Sequence, residues 1–456
     1  MDVSTLKDRL RGIVNPGIGR GTASRPSPGA DLVPDGSRTL ELLGGSFRET
    51  PGGRSFVVAR RYESDYLHGR HRVAEFAEPL KGASSAASLV GRSSASAPFV
   101  FFDLETTGLN GGAGTHAFLV GCGWFDADGG FVTEQHLLTD FSGERTMLGV
   151  VAEDLERAGT LMSFNGKSFD APMLETRYLF HRLDSPCAGR AHVDLLHPAR
   201  RFWGTASEAG CSLGALEQQI LAVTRTGDVA GFEIPARYFR FVRTGDAAPL
   251  VDVLHHNRLD LLSLAGLTAR IFQLVEAGPE HAAEAREALA LGRVYREAGL
   301  DERAQEAFER ALTLAEEDRS PKGKDFWFAT RRAERSAIIV DALRALAVGA
   351  RRQRRHEFAA TCWRRLIETA GCPAHVVREA IEALAIHHEH RARDLAAAKL
   401  FALRGIELEA APARGDAARH RLARIERKLV SERSLFPSST LPLSCGSPTS
   451  EPQTSS

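Results

Sequence analysis

The sequence has no excess of charge of either sign and no apolar run that could cross a membrane. Its 58 Lys and Arg residues balance 58 Asp and Glu residues in a chain of 456, which argues against a globally basic surface for nucleic acid and leaves only local patches. No stretch approaches the ~18 consecutive apolar residues of a transmembrane helix, and the charged N-terminus lacks the apolar centre of a secretory signal. We therefore expect a cytoplasmic protein with no membrane partner.

The cysteines form neither a metal-binding nor a disulfide pattern. All six are scattered without Cys-x-x-Cys spacing, at Cys122, Cys187, Cys211, Cys362, Cys372 and Cys445. Neither a zinc site nor a disulfide framework is therefore predicted. At ~150 residues per domain, the length suggests about three folded units.

Composition divides the chain into stretches of two kinds. Gly, Pro, Ser and Ala are concentrated at the ends and in one internal stretch, whereas the remainder carries periodic apolar residues. The first kind predicts disorder or linkers and the second predicts folded segments. The predicted order is a disordered arm (1–38), a small β-rich segment (39–80), a linker (81–97), an α/β domain (98–276), an all-α region (279–433) and a disordered tail (434–456).

The α/β segment has its strands first and then alternates helix and strand. The apolar run at 99–104 predicts a strand, and two more strands flank the turn sequence Asp-Ala-Asp-Gly-Gly. A helix over 144–158, another strand and a long helix over about 250–275 follow. This order is that of an RNase H-like α/β domain.

The all-α region contains residues at the offsets of a tetratricopeptide unit. They are Leu291, Gly292, Tyr295, Gly299, Ala304, Phe308 and Ala311. One helix pair cannot bury its own apolar face, so several units should stack into a short solenoid. Because acidic and basic residues alternate on its surface, we expect this region to bind a protein partner.

Two acids follow the first apolar strand of the α/β segment. Asp103 and Glu105 are two residues apart, so in an extended strand both side chains point to the same face. Alone they would repel each other, whereas a divalent cation between them removes that cost. A solvated acidic turn is the alternative interpretation. Thr106 and Gly108 allow the chain to turn sharply and leave backbone room beside the carboxylates.

A third acid, Asp170, follows another apolar run and a polar loop. Asn165 and Lys167 lie in this loop, where Lys167 could meet a phosphate. The alternative interpretation is an acid in the first turn of a helix, where it interacts favourably with the helix dipole.

A fourth acid, Asp260, lies in an apolar helical stretch. His256 is four residues earlier and shares its face, whereas His255 is rotated away by more than ~100°. A single His near an Asp on a helix is usually a surface pair, but a polar cluster in so apolar a helix points to a site.

Together, these acids and their neighbours resemble the motifs of the DEDD exonuclease superfamily, a group of RNase H-like 3′–5′ exonucleases. The motifs are FDLETTGL, NGKSFD and HHNRLD. More narrowly, the chain resembles the YprB-like bacterial proteins, which join such a domain to C-terminal tetratricopeptide-like helices. The segments HVDLLHPARRFW, with Asp194, and GFEIPARYFRF, with Tyr238, also match that pattern.

The resemblance implies a two-metal mechanism that hydrolyses DNA or RNA at a single-stranded end. Two Mg²⁺ or Mn²⁺ ions would be bound by Asp103, Glu105 and Asp260, with Asp170 supporting the second ion. The expected substrate contacts are Thr106, Gly108, Asn165 and Lys167.

The third motif departs from the superfamily. Its members carry either a Tyr four residues before the last Asp or a His five residues before it, and here both positions are His. We expect His256 to position or deprotonate the attacking water, because it shares the face of Asp260. His255 is the alternative if the helix begins just after it.

Two classes of function remain open from the sequence. One is a metal-dependent exonuclease, and the other is an adaptor that uses an inactive nuclease fold as a scaffold for its helical repeats. The complete acid set favours the nuclease, because a scaffold gains nothing from uncompensated buried carboxylates. Arg200 and Arg201, next to Phe202 and Trp203, suit either a nucleic-acid strand or ordinary packing.

Overall fold

The computed structural model of this chain describes residues 36–108, 114–204, 211–317, 326–408 and 416–435. The predicted arm up to residue 35 and the predicted tail from residue 436 lie outside the described residues. The predicted order, an α/β domain followed by helices only, is confirmed. No helix in the described ranges has the length and apolar composition needed to cross a bilayer.

The strands of the described residues form one large sheet and one small hairpin. They are β1 (Ser46–Thr50), β2 (Gly53–Tyr62), β3 (Leu67–His68), β4 (His71–Arg72), β5 (Phe99–Thr106), β6 (Ala117–Phe125), β7 (Phe131–Leu137), β8 (Thr160–Ser163) and β9 (Ala191–Asp194). The large sheet has the order β1-β2-β7-β6-β5-β8-β9, and β3 pairs with β4. Strands β5, β8 and β9 run parallel, and the remaining pairs are antiparallel.

Sixteen α-helices belong to the described residues. The first nine are α1 (Gly36–Glu41), α2 (Val73–Leu80), α3 (Ser84–Gly91), α4 (Glu144–Leu155), α5 (Asp170–Phe180), α6 (Leu196–Trp203), α7 (Leu213–Leu216), α8 (Ile234–Thr244) and α9 (Leu250–Ala277). The others are α10 (Ala285–Glu297), α11 (Asp301–Glu317), α12 (Phe326–Arg352), α13 (His356–Glu368), α14 (Ala374–His387), α15 (Leu395–Glu407) and α16 (Asp416–Leu435).

Strand β5 is apolar from Phe99 to Phe102 because helices cover both faces of the sheet there. Successive side chains of a strand point to opposite faces. Phe101 therefore packs in the core beneath α9, whereas Phe102 packs in the core shared with α4 and α5. Both rings are fully buried. The continuous apolar run that predicted this strand is thus explained by its central position.

Two predicted boundaries are wrong. Residues 84–91 of the predicted linker form helix α3, whose Ala86, Ala87 and Val90 are buried. Small apolar residues with few polar groups allow this close packing, and the Ala86 amide donates a hydrogen bond to the Glu276 carboxylate (3.1 Å). A composition of Ser and Ala therefore does not distinguish a linker from a tightly packed helix.

The predicted β-rich segment is not a unit of its own. Strand β2 pairs with β7 from Phe56 opposite Leu137 to Tyr62 opposite Phe131, so β1 and β2 extend the sheet of the α/β domain. The rest of the segment forms the β3–β4 hairpin and helix α2, and α2 packs on α9. The domain therefore begins well before residue 98, because a strand cannot complete its hydrogen bonds without its neighbour.

Helices α10 to α16 form the C-terminal region, in which each helix packs against the next. Gly292 of α10 lies directly against Phe308 of α11, and a Cβ at position 292 would lie 2.5 Å from the Phe308 ring. The absence of a side chain therefore sets the distance between these two helices.

We predict that Gly292→Ala lowers the stability of the chain by about 1–2 kcal/mol, because the methyl group would overpack the contact with Phe308. Gly349→Ala is the matched control, since no heavy atom lies within 4 Å of a Cβ at that helical position. The control should be neutral or stabilise the helix by up to ~1 kcal/mol. Urea unfolding followed by circular dichroism measures both changes, and equal midpoints for the two variants would contradict the prediction.

Candidate active site

The carboxyl ends of the parallel strands meet at one edge of the sheet. Asp103 and Glu105 lie at the end of β5, and Asp194 ends β9. Asp170 follows β8 as the first residue of α5. Connections that leave parallel strands gather their side chains at this edge, where α/β folds form their sites. Residues distant in sequence are thereby brought together here.

Helix α9 crosses the sheet above β5 and β6 and is fixed there by Asn257. The Asn257 Nδ2 donates hydrogen bonds to the Asp103 carboxylate (2.8 Å) and to the Asp103 carbonyl (3.3 Å). Gln135 Nε2 on β7 donates to the Asn257 Oδ1 (2.8 Å), and Arg258 donates to the Gln135 Oε1 (2.9 Å). Gly121 pairs with Asp103 in the sheet, and any side chain at 121 would collide with the Asn257 amide.

The loop before α5 is held by Asp194. One Asp194 oxygen accepts hydrogen bonds from the amides of Asn165 (2.7 Å) and Leu196 (3.0 Å), and the other accepts from the amide of Lys167 (3.0 Å). Asn165 has a φ of 67°, a left-handed conformation that Asn tolerates better than most residues. Asp194 therefore shapes the loop that presents Asp170.

Asp260 projects from α9 and is held by an arginine that the sequence did not indicate. Arg225 Nη2 donates to the Asp260 Oδ1 (2.5 Å). The same guanidinium makes a bidentate pair with buried Glu217 (2.7 Å on each oxygen) and contacts Asp228 (3.1 Å). Ser263 donates to Glu217 as well. One Asp260 oxygen is thus paired, and its orientation is fixed.

The two candidate histidines differ in their surroundings. Both lie inside α9, so the helix does not begin after His255. His256 Nε2 lies 3.4 Å from the Asp260 Oδ2, and His256 Nδ1 lies 2.8 Å from the Asp228 carboxylate. Within the described part of the chain, His255 is exposed and forms no ion pair with Asp260, although it lines a pocket that also contains Arg225 and Asp228. The helical period therefore places His256, not His255, beside Asp260.

The charges of Asp170 and Asp260 act on both acids of β5. Burial first, and then the charges of Asp260, Asp170 and Glu105, raise the pKa of Asp103 well above its ordinary value. Burial and the same neighbouring charges of Asp260 and Asp170 raise the pKa of Glu105 to about 8. Burial and the charge of Asp194 raise the pKa of Asp170 to about 7. We call Asp103, Glu105, Asp170 and Asp260 the acid cluster.

The acid cluster suits hard divalent cations by the chemistry of its donors. Carboxylate oxygens are the ligands that Mg²⁺ and Mn²⁺ prefer, and a cation would relieve the repulsion that raises these pKa values. The carboxylates of the acid cluster lie further apart than the ligand atoms of the most compact group of potential metal ligands. Among the described residues, the one set of three potential ligand atoms that all lie within 4.8 Å is elsewhere, at Cys122, His136 and Asp154.

That second group is buried on the other face of the sheet. His136 Nε2 lies 2.8 Å from the Asp154 Oδ2, and Arg157 lies 3.3 Å from the Asp154 Oδ1. Cys122 packs beside them on β6 and is fully buried. The carboxylate is therefore already paired with two basic groups, so we interpret this group as a structural ion pair that ties α4 to the sheet.

The predicted substrate contacts lie around the acid cluster in two places. The Thr106 hydroxyl donates to the Gly108 carbonyl (3.0 Å), which turns the chain just after Glu105. Asn165 and Lys167 lie in the loop before Asp170. Tyr238, by contrast, is fully buried, and its hydroxyl donates to the Leu138 carbonyl (3.0 Å). Tyr238 is therefore a packing residue.

Sequence reasoning missed Arg225, Glu217 and Asp228. They lie between residues 211 and 230, where no apolar periodicity or motif marks a site. The one available signal was the spacing of three residues between Arg225 and Asp228, and such pairs of opposite charge are too common on protein surfaces to select them.

Comparison with known proteins first defines the class of this domain. Residues 100–272 match the family model of the RNase H superfamily, so the predicted RNase H-like domain is confirmed. The chain is also 31% identical over 263 residues to the uncharacterized protein YprB of Bacillus subtilis (strain 168). The match covers 56% of this chain and 62% of that protein, and thus spans less than two thirds of the relative's length.

We predict that Mn²⁺ raises the thermal midpoint of the chain by roughly 5–10 °C at a concentration 100 times its Kd, because a ligand that binds only the folded state stabilises it. Asp103→Asn should lose most of this effect. Without metal, the variant should melt above the unaltered chain, because one of the repelling carboxylates is gone. Differential scanning fluorimetry measures both midpoints.

The control for this prediction is Asp128→Asn, which neutralises an exposed acid in the turn between β6 and β7. It should keep the full response to Mn²⁺. A response of the same size in both variants would place the binding of the ion outside the acid cluster.

Proposed function

We propose that this chain is a two-metal-dependent 3′–5′ exonuclease that hydrolyses phosphodiester bonds of DNA or RNA. The observation that supports it is the acid cluster. Its four carboxylates come from one strand end, that of β5, and from helices α5 and α9 at the carboxyl edge of the sheet. Burial raises the pKa of Asp103, Glu105 and Asp170, and the charges of other cluster members raise it further at Asp103 and Glu105. The RNase H superfamily match supports a nucleic-acid substrate.

Each member of the acid cluster has a proposed role. Asp103, Glu105 and Asp260 would hold two Mg²⁺ or Mn²⁺ ions, with Asp170 supporting the second. Such ions lower the pKa of water and stabilise a leaving oxygen. Asn257 keeps the Asp103 carboxylate in place (2.8 Å), and Arg225 occupies only the Asp260 Oδ1, which leaves the Asp260 Oδ2 for a ligand.

His256 is proposed to accept the proton of the attacking water. Two groups contact its Nδ1: the Asp228 carboxylate at 2.8 Å and the Arg225 guanidinium at 3.3 Å. We assign the proton to Nδ1 because the contact with the carboxylate is the shorter one. The Nε2 then keeps its lone pair and faces Asp260. A positioned imidazole accepts protons near neutral pH, and this contributes typically ~10²–10⁴-fold to a rate.

Substrate contacts complete the proposal. Lys167, exposed beside Asp170, would pair with a phosphate, and the loop amides held by Asp194 fix its position. Thr106, Gly108 and Asn165 would contact the terminal nucleotide through hydroxyl, amide and backbone groups. A single-stranded end fits best, because an end must enter the cluster for nucleotides to be removed one at a time.

The alternative is an adaptor in which the C-terminal helices bind a protein. Each helix from α10 to α15 packs against the next, and Gly292 allows the close contact of α10 with α11. We propose that these helices bind a protein partner, while the α/β domain acts as the nuclease. A pure adaptor would neither bind Mn²⁺ at the acid cluster nor cleave nucleic acid.

We predict that the purified chain shortens 5′-labelled single-stranded DNA or RNA from the 3′ end with Mg²⁺ or Mn²⁺ and is inactive in EDTA. Asp103→Asn should reduce the rate by at least about 100-fold, because an Asn lacks the charge that a bridging ligand supplies. A denaturing gel of the product ladder measures the rate and the direction of cleavage.

Asp128→Asn serves as the matched control for cleavage and should keep full activity. Equal activity of Asp103→Asn and the unaltered chain would assign the cleavage to a contaminant or to another site. Products that shorten from the 5′ end would contradict the proposed direction.

We predict that His256→Ala lowers kcat by about 100-fold or more, whereas His255→Ala stays within about threefold of the unaltered chain. The physical reason is that His256 alone lies beside Asp260, while His255 faces solvent. Rates of the two variants, measured side by side with saturating Mg²⁺, test the assignment. A large loss confined to His255→Ala would refute it.

A further inference from the structure

A basic cleft lies next to the acid cluster, between the α/β domain and the C-terminal helices. The end of α3, the loop before α5, the end of β9, helix α6 and helix α10 line it, and the residues that matter here are Val90, Arg92, Lys167, Asp194, Arg201 and Val294. The cleft shares Lys167 and Asp194 with the loop that presents Asp170, since the Lys167 amide donates to the Asp194 carboxylate (3.0 Å). Gly166, next to Lys167, lies against Asp170, because a Cβ at position 166 would be 2.9 Å from the Asp170 Oδ2. The cleft therefore opens directly beside the acid cluster.

Two guanidinium groups that line this cleft converge on one carboxylate. Arg92 Nη2 lies 2.8 and 2.7 Å from the two Glu297 oxygens, and Arg201 Nη1 lies 3.0 Å from the Glu297 Oε2. Arg92 and Arg201 belong to the α/β domain, whereas Glu297 ends α10. Two guanidinium groups around one oxyanion is the geometry with which proteins bind phosphate.

Three side chains of the cleft are positively charged: Arg92, Arg201 and Lys167. Glu297 is the anion that balances the charge of the two arginines. The Asp194 oxygens already accept three backbone hydrogen bonds, so Asp194 is committed to the loop. The Glu297 side chain is 38% exposed and the Arg92 side chain is 57% exposed, so an anion from solvent can reach the pair. An exposed ion pair of this kind contributes little to stability and can be exchanged.

We infer that this cleft binds the phosphodiester backbone of the single strand whose end lies in the acid cluster, and that Glu297 competes with the phosphate for Arg92 and Arg201. The inference rests on the proposed nuclease function. The cations come from the α/β domain, and the C-terminal helices supply a wall and the competing carboxylate. Val90 and Val294 offer apolar surface on which a sugar or base can pack.

Substitution of Glu297 and substitution of its two arginine partners should change the affinity for single-stranded oligonucleotides in opposite directions. Glu297→Gln removes the competing charge and should strengthen binding about threefold. The double variant Arg92→Gln with Arg201→Gln should weaken binding by about tenfold and reduce the slope of log affinity against log salt by ~1.4, at about 0.7 per phosphate contact on single strands. Replacing both arginines by Lys should keep most of the slope, because the charge remains.

The experiment is fluorescence anisotropy of the full chain with 5′-labelled single-stranded DNA and RNA oligonucleotides in EDTA, at several salt concentrations. Two variants control for net charge. Glu302→Gln removes an exposed acid of α11, and Arg351→Gln with Arg352→Gln removes two exposed cations at the end of α12. Both controls should bind within about twofold of the unaltered chain, and circular dichroism confirms the fold of every variant.

The inference is overturned if Glu297→Gln binds no more tightly than Glu302→Gln, or if the Arg92 and Arg201 double variant matches the Arg351 and Arg352 control. It is overturned as well if the unaltered chain binds neither oligonucleotide. Cleavage with Mg²⁺ is measured separately. If the chain cleaves but the cleft variants bind as the unaltered chain does, only the inference about the cleft is rejected. If the variants show the expected binding but the chain does not cleave, the cleft is supported and the nuclease proposal is rejected.

Discussion

Helix α9 rests on the sheet at the place where Gly121 leaves room for the Asn257 amide. This close approach lets Asn257 reach Asp103 on β5 and Gln135 on β7 at once, with bonds of 2.8 Å to each. Asp260 lies one helical turn further along the same helix, so its distance from Asp103 depends on how closely α9 approaches the strands. A larger residue at 121 would lift the helix and open the acid cluster. The geometry of the site thus depends on one glycine.

Around this contact, charge compensation determines how the rest of the site is arranged. The cluster gathers carboxylates whose repulsion must be offset, and Arg225 supplies a resident cation at Asp260. Arg225 is itself fixed by buried Glu217, whose carboxylate also accepts from Ser263. Ser263 in turn bonds His68 of the β3–β4 hairpin (2.8 Å). The N-terminal hairpin therefore supports the network that orients Asp260, although it lies outside the residues that match the superfamily.

The C-terminal helices are packed on the α/β domain through polar as well as apolar contacts. Trp203 at the end of α6 donates to the Glu287 carboxylate of α10 (3.1 Å), and the Tyr295 hydroxyl donates to the Val275 carbonyl of α9 (2.8 Å). Glu297 joins the same interface through Arg92 and Arg201. Glu297 therefore links the end of α10 to Arg92 and Arg201 of the α/β domain.

The features that depend on local periodicity could be predicted from the order of the residues. The period of two in a strand placed Asp103 and Glu105 together, the helical period placed His256 beside Asp260, and apolar patterns predicted the central strands and the helical region. Tertiary structure alone decided the pairing of Arg225 with Asp260 and of Asp228 with His256, which join residues 35 and 28 positions apart. It also decided that the Ser- and Ala-rich stretch forms helix α3. These contacts depend on how packed elements bring distant residues together, and no local pattern encodes that distance.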